Sequence, residues 1–168
     1  MHMQKLDNCD WMILDQLQRR GRLTNVELAR RVGLSAPACL RRVRALEEAG
    51  IITGYRALID ETRLGFGVTV FALIGLHSQA EADLSSFRAL LDGWPIVREA
   101  YMLSGEIDFL LRCVAPDLPA FQNFLMRELT AAPNVDSVRT CLSLGATKSA
   151  PPVPIEEDPT GTPTETGP

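Results

Sequence analysis

The sequence predicts an α+β protein in which a helical N-terminal part precedes a part that combines a sheet with helices. Residues 1–60 place apolar residues at helical spacing in three short segments. Residues 68–145 alternate β-branched and aromatic runs with helical segments in the order β-α-β-β-α-β, the ferredoxin-like split pattern. The chain has 168 residues and is 46% hydrophobic, which suffices for a packed core.

Start and stop signals delimit the three helices predicted in the first part. Each begins at a residue whose side-chain oxygen can accept hydrogen bonds from the first free backbone amides. These residues are Asp7, Thr24 and Ser35. Each helix ends at a glycine, the residue best suited to the point where a chain leaves a helix. These glycines are Gly21, Gly33 and Gly50. Residues 51–59 follow as an extended segment that predicts a short strand.

The second part divides into strands and helices separated by short turns. In chain order the prediction is strand 68–76, helix 80–91, strands 96–103 and 107–114, helix 118–129 and strand 135–144. The predicted domains are 1–60, a linker at 61–67, 68–148 and a tail at 149–168. Six of the eleven prolines and four acids lie in the tail, which we expect to be disordered. One face of the sheet carries the helices, and a second subunit is the usual cover for the other face.

Charge is distributed unevenly along the chain. The net charge is −4, which by itself argues against a nucleic-acid partner. Residues 1–65 nevertheless carry eleven Lys and Arg against eight Asp and Glu, whereas residues 66–168 carry six against thirteen. Residues 19–44 alone hold eight arginines and one acid, Glu27. This asymmetry predicts a module that binds a polyanion, joined to an acidic module with another role.

Several protein classes are disfavoured by what the sequence lacks. No apolar run reaches the roughly 18 residues of a membrane span, and the N-terminus lacks a signal peptide's apolar region, so we expect a cytoplasmic protein. The four cysteines are widely spaced without a Cys-x-x-Cys pair, and only two histidines accompany them. This pattern predicts buried free thiols rather than a metal site or disulfides. No motif predicts a nucleotide cofactor.

The third predicted helix has an arginine-rich outer face. Five apolar residues cluster on one arc of its helical wheel and are expected to face inward. They are Ala36, Cys39, Leu40, Val43 and Leu46. Opposite that arc lie Arg41 and the small residues Pro37, Ala38 and Ala45, with Arg42 and Arg44 on either side. Small residues let a helix approach a DNA groove, and arginines reach bases or phosphates. A merely solvated charged face is the alternative.

A glycine and two carboxylates occupy the turn between the second and third predicted strands. They are Gly105, Glu106 and Asp108. Hairpin chemistry alone explains such a turn, because glycine and acids are common there. The functional alternative is an amine-binding rim, in which carboxylates attract an ammonium and exposed turn amides bind a carboxylate. A catalytic acid/base pair is a remote third interpretation, because nothing else in the sequence completes a catalytic set.

Several ordered motifs together resemble the Lrp/AsnC family of transcription regulators. They are Glu27–Ser35, Arg41–Val43, Leu46–Tyr55, Leu64–Gly67, Ser104–Leu111 and Val138–Thr140. The resemblance implies a winged helix-turn-helix domain followed by a ferredoxin-like effector-binding domain. It further implies homodimers formed through the C-terminal sheets, which assemble into tetramers or octamers. Family members are regulators without a catalytic site or cofactor, and their effectors are small molecules, usually amino acids.

On the DNA side, the resemblance makes the third helix the recognition helix for double-stranded DNA. Two such helices in a dimer suit a palindromic operator with half-sites about one helical turn apart. The residues predicted to contact DNA are Thr24, Asn25, Arg30, Arg31, Ser35, Ala36, Pro37, Ala38, Arg41, Arg42 and Arg44. Arg30 and Arg31 precede the recognition helix, so we expect them to hold phosphates rather than read bases.

On the effector side, the resemblance implies a site between dimers, beside the turn described above. The predicted effector-binding residues are Tyr101, Ser104, Gly105, Glu106, Ile107, Asp108, Thr140 and Leu142. We expect the effector to favour one assembly geometry and thereby reset the spacing of the recognition helices. One alternative is an architectural protein that wraps DNA without an effector, and a remote one is a small enzyme that uses Glu106 and Asp108.

Overall fold

The computed structural model describes residues 6–148 and 152–155, which form two compact units. Unit 1 extends to Leu58 and includes Lys148 and residues 152–155, whereas unit 2 is Ile59–Thr147. Most of the predicted tail lies outside the described residues, and residues 152–155 are neither helix nor strand. None of the helices in the described part of the chain has the length and apolar character needed to cross a membrane.

Unit 1 contains three helices that begin at the predicted capping residues. They are α1 (Asn8–Arg19), α2 (Asn25–Arg31) and α3 (Ala36–Glu48). Each capping side chain accepts a hydrogen bond from the backbone amide three residues later, which satisfies one of the helix's free donors. Gly33 and Gly50 follow α2 and α3 with φ of 69° and 70°, left-handed values that favour glycine.

The three helices of unit 1 enclose a small apolar core. Its buried members are Ile13, Leu28, Ala29, Val32, Cys39 and Leu46. The predicted strand at 51–59 is wrong, because these residues form no regular strand and Leu58 is 90% exposed. A strand needs a hydrogen-bonding partner, and the described part of unit 1 contains no second strand to pair with it.

Unit 2 is a four-stranded antiparallel sheet with two helices on one face, as the βαββαβ order predicts. Its elements are β1 (Val68–Leu76), α4 (Glu81–Asp92), β2 (Val97–Met102), β3 (Phe109–Ala115), α5 (Leu118–Phe124) and β4 (Val135–Leu142). The helix after β3 continues beyond α5 as a π-helical turn over Leu125–Leu129. The strand order is β2-β3-β1-β4, so β1 and β3 are central.

Alternate residues of the central strands build the core beneath the helices. They are Val70, Ala72 and Ile74 on β1 and Phe109, Leu111 and Cys113 on β3. Phe87 of α4 lies at the centre of an aromatic cluster, with ring centroids 4.9 Å from Phe109 and 6.1 Å from Trp94. Of the four free thiols, Cys39 and Cys113 are buried as predicted, whereas Cys9 is half-buried and Cys141 is exposed.

The opposite face of the sheet is organised around Arg112. Its guanidinium donates to both carboxylate oxygens of Glu61, at 3.0 and 3.1 Å, and to Glu99 at 3.1 Å. Residues 61–67, predicted as a linker, therefore fold with unit 2 and include a 3-10 turn at Thr62–Leu64. Phe71 and Leu73 remain half-buried on this face.

We predict that Phe87→Ala lowers the free energy of unfolding of unit 2 by about 3–5 kcal/mol, because it leaves a cavity beside the rings of Trp94 and Phe109. Denaturant unfolding followed by circular dichroism measures this change. Met126→Ala removes an apolar side chain that is 69% exposed, so it should change stability by less than about 0.5 kcal/mol. Equal effects of the two substitutions would contradict the assignment of the core.

Candidate DNA-binding and ligand-binding sites

The outer face of α3 forms a shallow depression of about 360 Å3 that is rich in arginine. Its lining residues are Pro37, Leu40, Arg41, Arg44, Ala45 and Glu48. Arg41 and Arg44 are exposed and lie one turn apart, so both guanidinium groups can reach a surface placed against this face. Arginine forks bind phosphates and guanine edges, and the small side chains of Pro37 and Ala45 do not obstruct the approach.

Arg42 faces away from this depression and holds α3 against the start of α1. One of its nitrogens donates to Asp7 at 2.8 Å and to Asp10 at 2.9 Å, the two carboxylates of the α1 capping box. The hydrogen bond to Asp10, followed by the one to Asp7, raises the pKa of Arg42. The backbone amide of Asp10, with help from Arg42, lowers the pKa of Asp7. These ion pairs give Arg42 a role in positioning α3, and its predicted contact with DNA stays a prediction.

The buried arc of α3 also differs from the one that the helical wheel predicts, and it includes Arg42. Leu40 is 40% exposed, whereas Arg42, Ala38 and Ala45 are half-buried. The rotation is roughly 60°, given about 100° per residue. The prediction that Leu40 faces inward is wrong. The hydrophobic pattern of one helix contains no information about two carboxylates on another helix.

The residues predicted on α2 and at the helix starts have different surroundings. Arg30 and Arg31 are exposed, and Arg31 donates to Gln16 of α1 at 3.3 Å. Asn25 donates through its side-chain nitrogen to the Ala36 carbonyl at 2.7 Å, which ties α2 to the start of α3. Thr24 binds Glu27 within a capping box. Thr24 thus begins α2, whereas Asn25 joins α2 to α3 in this structure.

Ser35, Ala36, Pro37 and Ala38 form the N-terminal end of α3. The Ser35 hydroxyl accepts from the amide of Ala38 at 3.4 Å and so begins α3. Pro37 is exposed, whereas Ala36 and Ala38 are half-buried. Of these four residues, Ser35 and Pro37 are therefore the exposed ones.

In unit 2, Asp108 is a buried carboxylate that organises the turn between β2 and β3. It is 8% exposed, and its two oxygens accept hydrogen bonds from the Leu76 amide at 2.7 Å and from the Gln79 side chain at 2.8 Å. Its own backbone carbonyl accepts from Leu103 at 2.8 Å, which closes the turn. Asp108 thus joins the end of β1, residues 77–80 and the turn. Sequence reasoning missed Gln79, whose partner lies 29 residues away and leaves no local signal.

The remaining residues of the turn lie at the surface. Ser104, Gly105 and Glu106 are exposed, and Ile107 is half-buried. Gly105 has φ of 137°, a value that few other residues adopt, and it leaves open space around the backbone. The Tyr101 hydroxyl donates to Glu99 at 2.9 Å. Glu106 is therefore the exposed carboxylate of the turn, whereas Asp108 is engaged by two donors.

The structure does not bring the predicted β4 residues to this turn within one chain. Thr140 pairs with Ala72 and Leu142 with Val70, whereas the turn follows the other end of the sheet, next to Ile74. Strand β1 also lies between β4 and β3, which places β4 about 10 Å from β3 at the usual spacing of strands. Both residues are exposed.

Residues 6–148 and 152–155 contain no group of three or more His, Cys, Asp or Glu side chains arranged to hold a metal ion. Of the two carboxylates of the turn, that of Asp108 is buried and holds the turn in place, whereas that of Glu106 is exposed. The chemistry available at the turn is therefore recognition by hydrogen bonds and charge.

Both units match known families. A model described as winged helix-turn-helix DNA-binding matches residues 6–53, and one described as Lrp/AsnC ligand binding domain matches residues 69–153. The chain is 56% identical over 146 residues to the leucine-responsive regulatory protein of Rhizobium meliloti. The matched region covers 87% of this chain and 94% of that protein. The chain belongs to the Lrp/AsnC family.

Other relatives of this Lrp/AsnC protein agree with that assignment. The transcriptional regulator AzlB of Bacillus subtilis is 37% identical over 90% of this chain and 97% of its own. A transcriptional regulator from Neisseria meningitidis, solved as a complex with L-Met, is 36% identical with a TM-score of 0.84 over 89% of this chain and 97% of that one. The chain is thus a DNA-binding transcription regulator with a ligand-binding domain of the Lrp/AsnC type.

We predict that Arg42→Ala in this regulator destabilises the packing of α3 on α1 by about 1 kcal/mol, because two carboxylates lose a partly exposed cation. Hydrogen exchange of the α1 and α3 amides measures the change. Arg41→Ala is the matched control on the adjacent, exposed position and should leave exchange unaltered. Equal protection in the two variants would show that the ion pair does not hold the helices.

The pH dependence of the same pair provides a second readout. The pKa of Asp7 in the folded protein lies below its usual value of 3.8. The stability that its charged carboxylate contributes is therefore present above that pH and is lost as the pH falls through the folded pKa. The stability difference between wild type and Arg42→Ala should therefore stay constant from about pH 7 to about pH 4 and shrink as the pH falls further. A difference that is constant with pH would contradict this account.

Proposed function

We propose that this regulator reads DNA through the outer face of α3, with Arg41 and Arg44 contacting bases or phosphates. The observation that carries this proposal is the contrast between two exposed arginines on that face and Arg42, which two carboxylates hold elsewhere. Pro37 and its neighbours would lie nearest the groove, and Arg30 and Arg31 would hold phosphates. A regulator that acts on chromosomal DNA in this way would work in the cytoplasm.

We further propose that the chain acts as a homodimer that binds a palindromic operator and assembles into larger oligomers. The face of the sheet opposite the helices supports this proposal, because Phe71, Leu73 and Leu110 are only half-buried there. A second copy would cover these apolar side chains and place two recognition helices on one side of the DNA.

The proposed effector is a small zwitterion, such as an amino acid with an apolar side chain. Glu106 supplies an exposed carboxylate for its ammonium group, and the open backbone at Gly105 can receive its carboxylate. Met102 and Leu103 beside the turn are 57% and 42% exposed and can contact an apolar side chain. The L-Met complex of the Neisseria relative supports the same ligand class. Thr140 and Leu142 would join the site from a neighbouring subunit.

We predict that Arg41→Ala weakens binding to a duplex selected from a random pool by about tenfold, because a base or phosphate contact is lost. Electrophoretic or fluorescence titration at several salt concentrations measures the affinity. Arg127→Ala removes the same charge from an exposed position in unit 2 and should have little effect. If Arg41→Ala binds the duplex as tightly as wild type does, α3 does not read DNA through this face.

We predict that at least one of the amino acids raises the melting temperature of the wild-type protein, since a ligand at about 100 times its Kd stabilises by about 2.7 kcal/mol. Glu106→Gln should abolish this shift while leaving the unliganded melting temperature unchanged. Asp108→Asn should lower the unliganded melting temperature, because the Leu76 and Gln79 donors lose an acceptor. A wild type that responds to no amino acid would favour the effector-independent architectural role.

A further inference from the structure

Residues 152–155 contact the C-terminal end of α1 through a reciprocal pair of hydrogen bonds. The backbone amide of Val153 donates to the side-chain oxygen of Gln18 at 2.7 Å. The side-chain nitrogen of Gln18 donates to the Val153 carbonyl at 3.3 Å. A side-chain amide carries a donor and an acceptor in one plane, so Gln18 pairs with this backbone as a neighbouring strand would.

The sequence around Val153 suits recognition through the backbone. Val153 lies in the run Pro151-Pro152-Val153-Pro154, in which prolines lack an amide hydrogen. Val153 therefore supplies the only backbone donor of the run, and Gln18 binds that donor. Prolines also restrict the backbone before binding, which lowers the entropic cost of docking. The Val153 side chain is 69% exposed, so the contact depends on its backbone.

This contact joins an acidic sequence to a basic surface. Residues 149–168 contain four acids and no Lys or Arg, and Glu156, Glu157 and Asp158 directly follow Ile155. Arg20 and Arg22 lie just beyond Gln18 and are exposed. Glu156 follows Val153 by three positions, a covalent reach of at most about 10 Å. That reach is comparable to the Debye length of about 8 Å at physiological salt, so screening does not remove the effect of charges anchored beside Gln18.

We propose that residues 152–155 form a strap that docks on Gln18 and holds the acidic tail near the cations of the DNA-binding unit. The tail carboxylates then compete with DNA phosphates for those cations, and the strap lowers DNA affinity. The proposal rests on DNA binding by unit 1. It assigns the Pro-rich tail an autoinhibitory role that release of the strap relieves.

Two substitutions at one position test the strap in the full-length protein. Val153→Pro removes the backbone donor and keeps an extended, proline-rich segment, whereas Val153→Ala retains the donor and shortens only an exposed side chain. Gln18→Ala removes the other partner at an exposed helical site where alanine is well tolerated. A triple variant, Glu156→Gln, Glu157→Gln and Asp158→Asn, keeps the strap and removes its charges.

Affinity for a duplex selected from a random pool is the first readout. At about 50 mM salt, Val153→Pro, Gln18→Ala and the triple variant should bind about two- to fivefold more tightly than wild type, and Val153→Ala should match wild type. The difference should decrease at about 200 mM salt, where surface charges are screened. If the wild-type protein binds no selected duplex, the proposed DNA-binding function fails, which is a different outcome from failure of the strap.

Backbone dynamics of the tail give a second readout that does not require DNA. In a 15N-labelled full-length protein, the heteronuclear NOE of Ile155 should fall in Val153→Pro and Gln18→Ala and stay at the wild-type value in Val153→Ala. The strap is overturned if Ile155 is equally mobile in all variants, or if wild type binds DNA as tightly as the strap and charge variants do.

Discussion

The ion pair between Arg42 and the two carboxylates that begin α1 fixes the orientation of the recognition helix. One guanidinium nitrogen lies 2.8 Å from Asp7 and 2.9 Å from Asp10, and both carboxylates also cap the helix on which they lie. Because this pair turns one side of α3 toward α1, Arg41 and Arg44 must face outward. The face of α3 that we propose to read DNA therefore depends on an interaction in which its own exposed arginines take no part.

Asp108 has a comparable role in unit 2. A buried carboxylate is costly unless donors satisfy it, and Leu76 and Gln79 provide those donors. The resulting turn leaves Glu106 and the Gly105 backbone at the surface. In both units, the hydrogen bonds of one charged side chain hold the local structure in place. A charged neighbour one or two residues away stays exposed and available for a ligand.

The elements of this fold were predictable because their signals are local. Caps at Asp7, Thr24 and Ser35 begin helices, and the βαββαβ order follows from alternating patterns along the chain. The predicted strand at 51–59 was wrong, because a strand depends on a partner that periodicity cannot supply. The inward placement of Leu40 was wrong for a related reason, since the rotation of α3 depends on carboxylates more than 30 residues away.

The sequence by itself determined the two-part architecture, the family and the segments that carry the candidate sites, because caps, glycines and motifs act over a few residues. Only the tertiary structure decided which arginine of α3 faces outward, which carboxylate of the turn is exposed, and that Thr140 and Leu142 lie away from that turn. It also decided that Val153 meets Gln18, 135 residues away. These outcomes depend on long-range pairs of charges and hydrogen bonds, whose geometry exists only after the chain has folded.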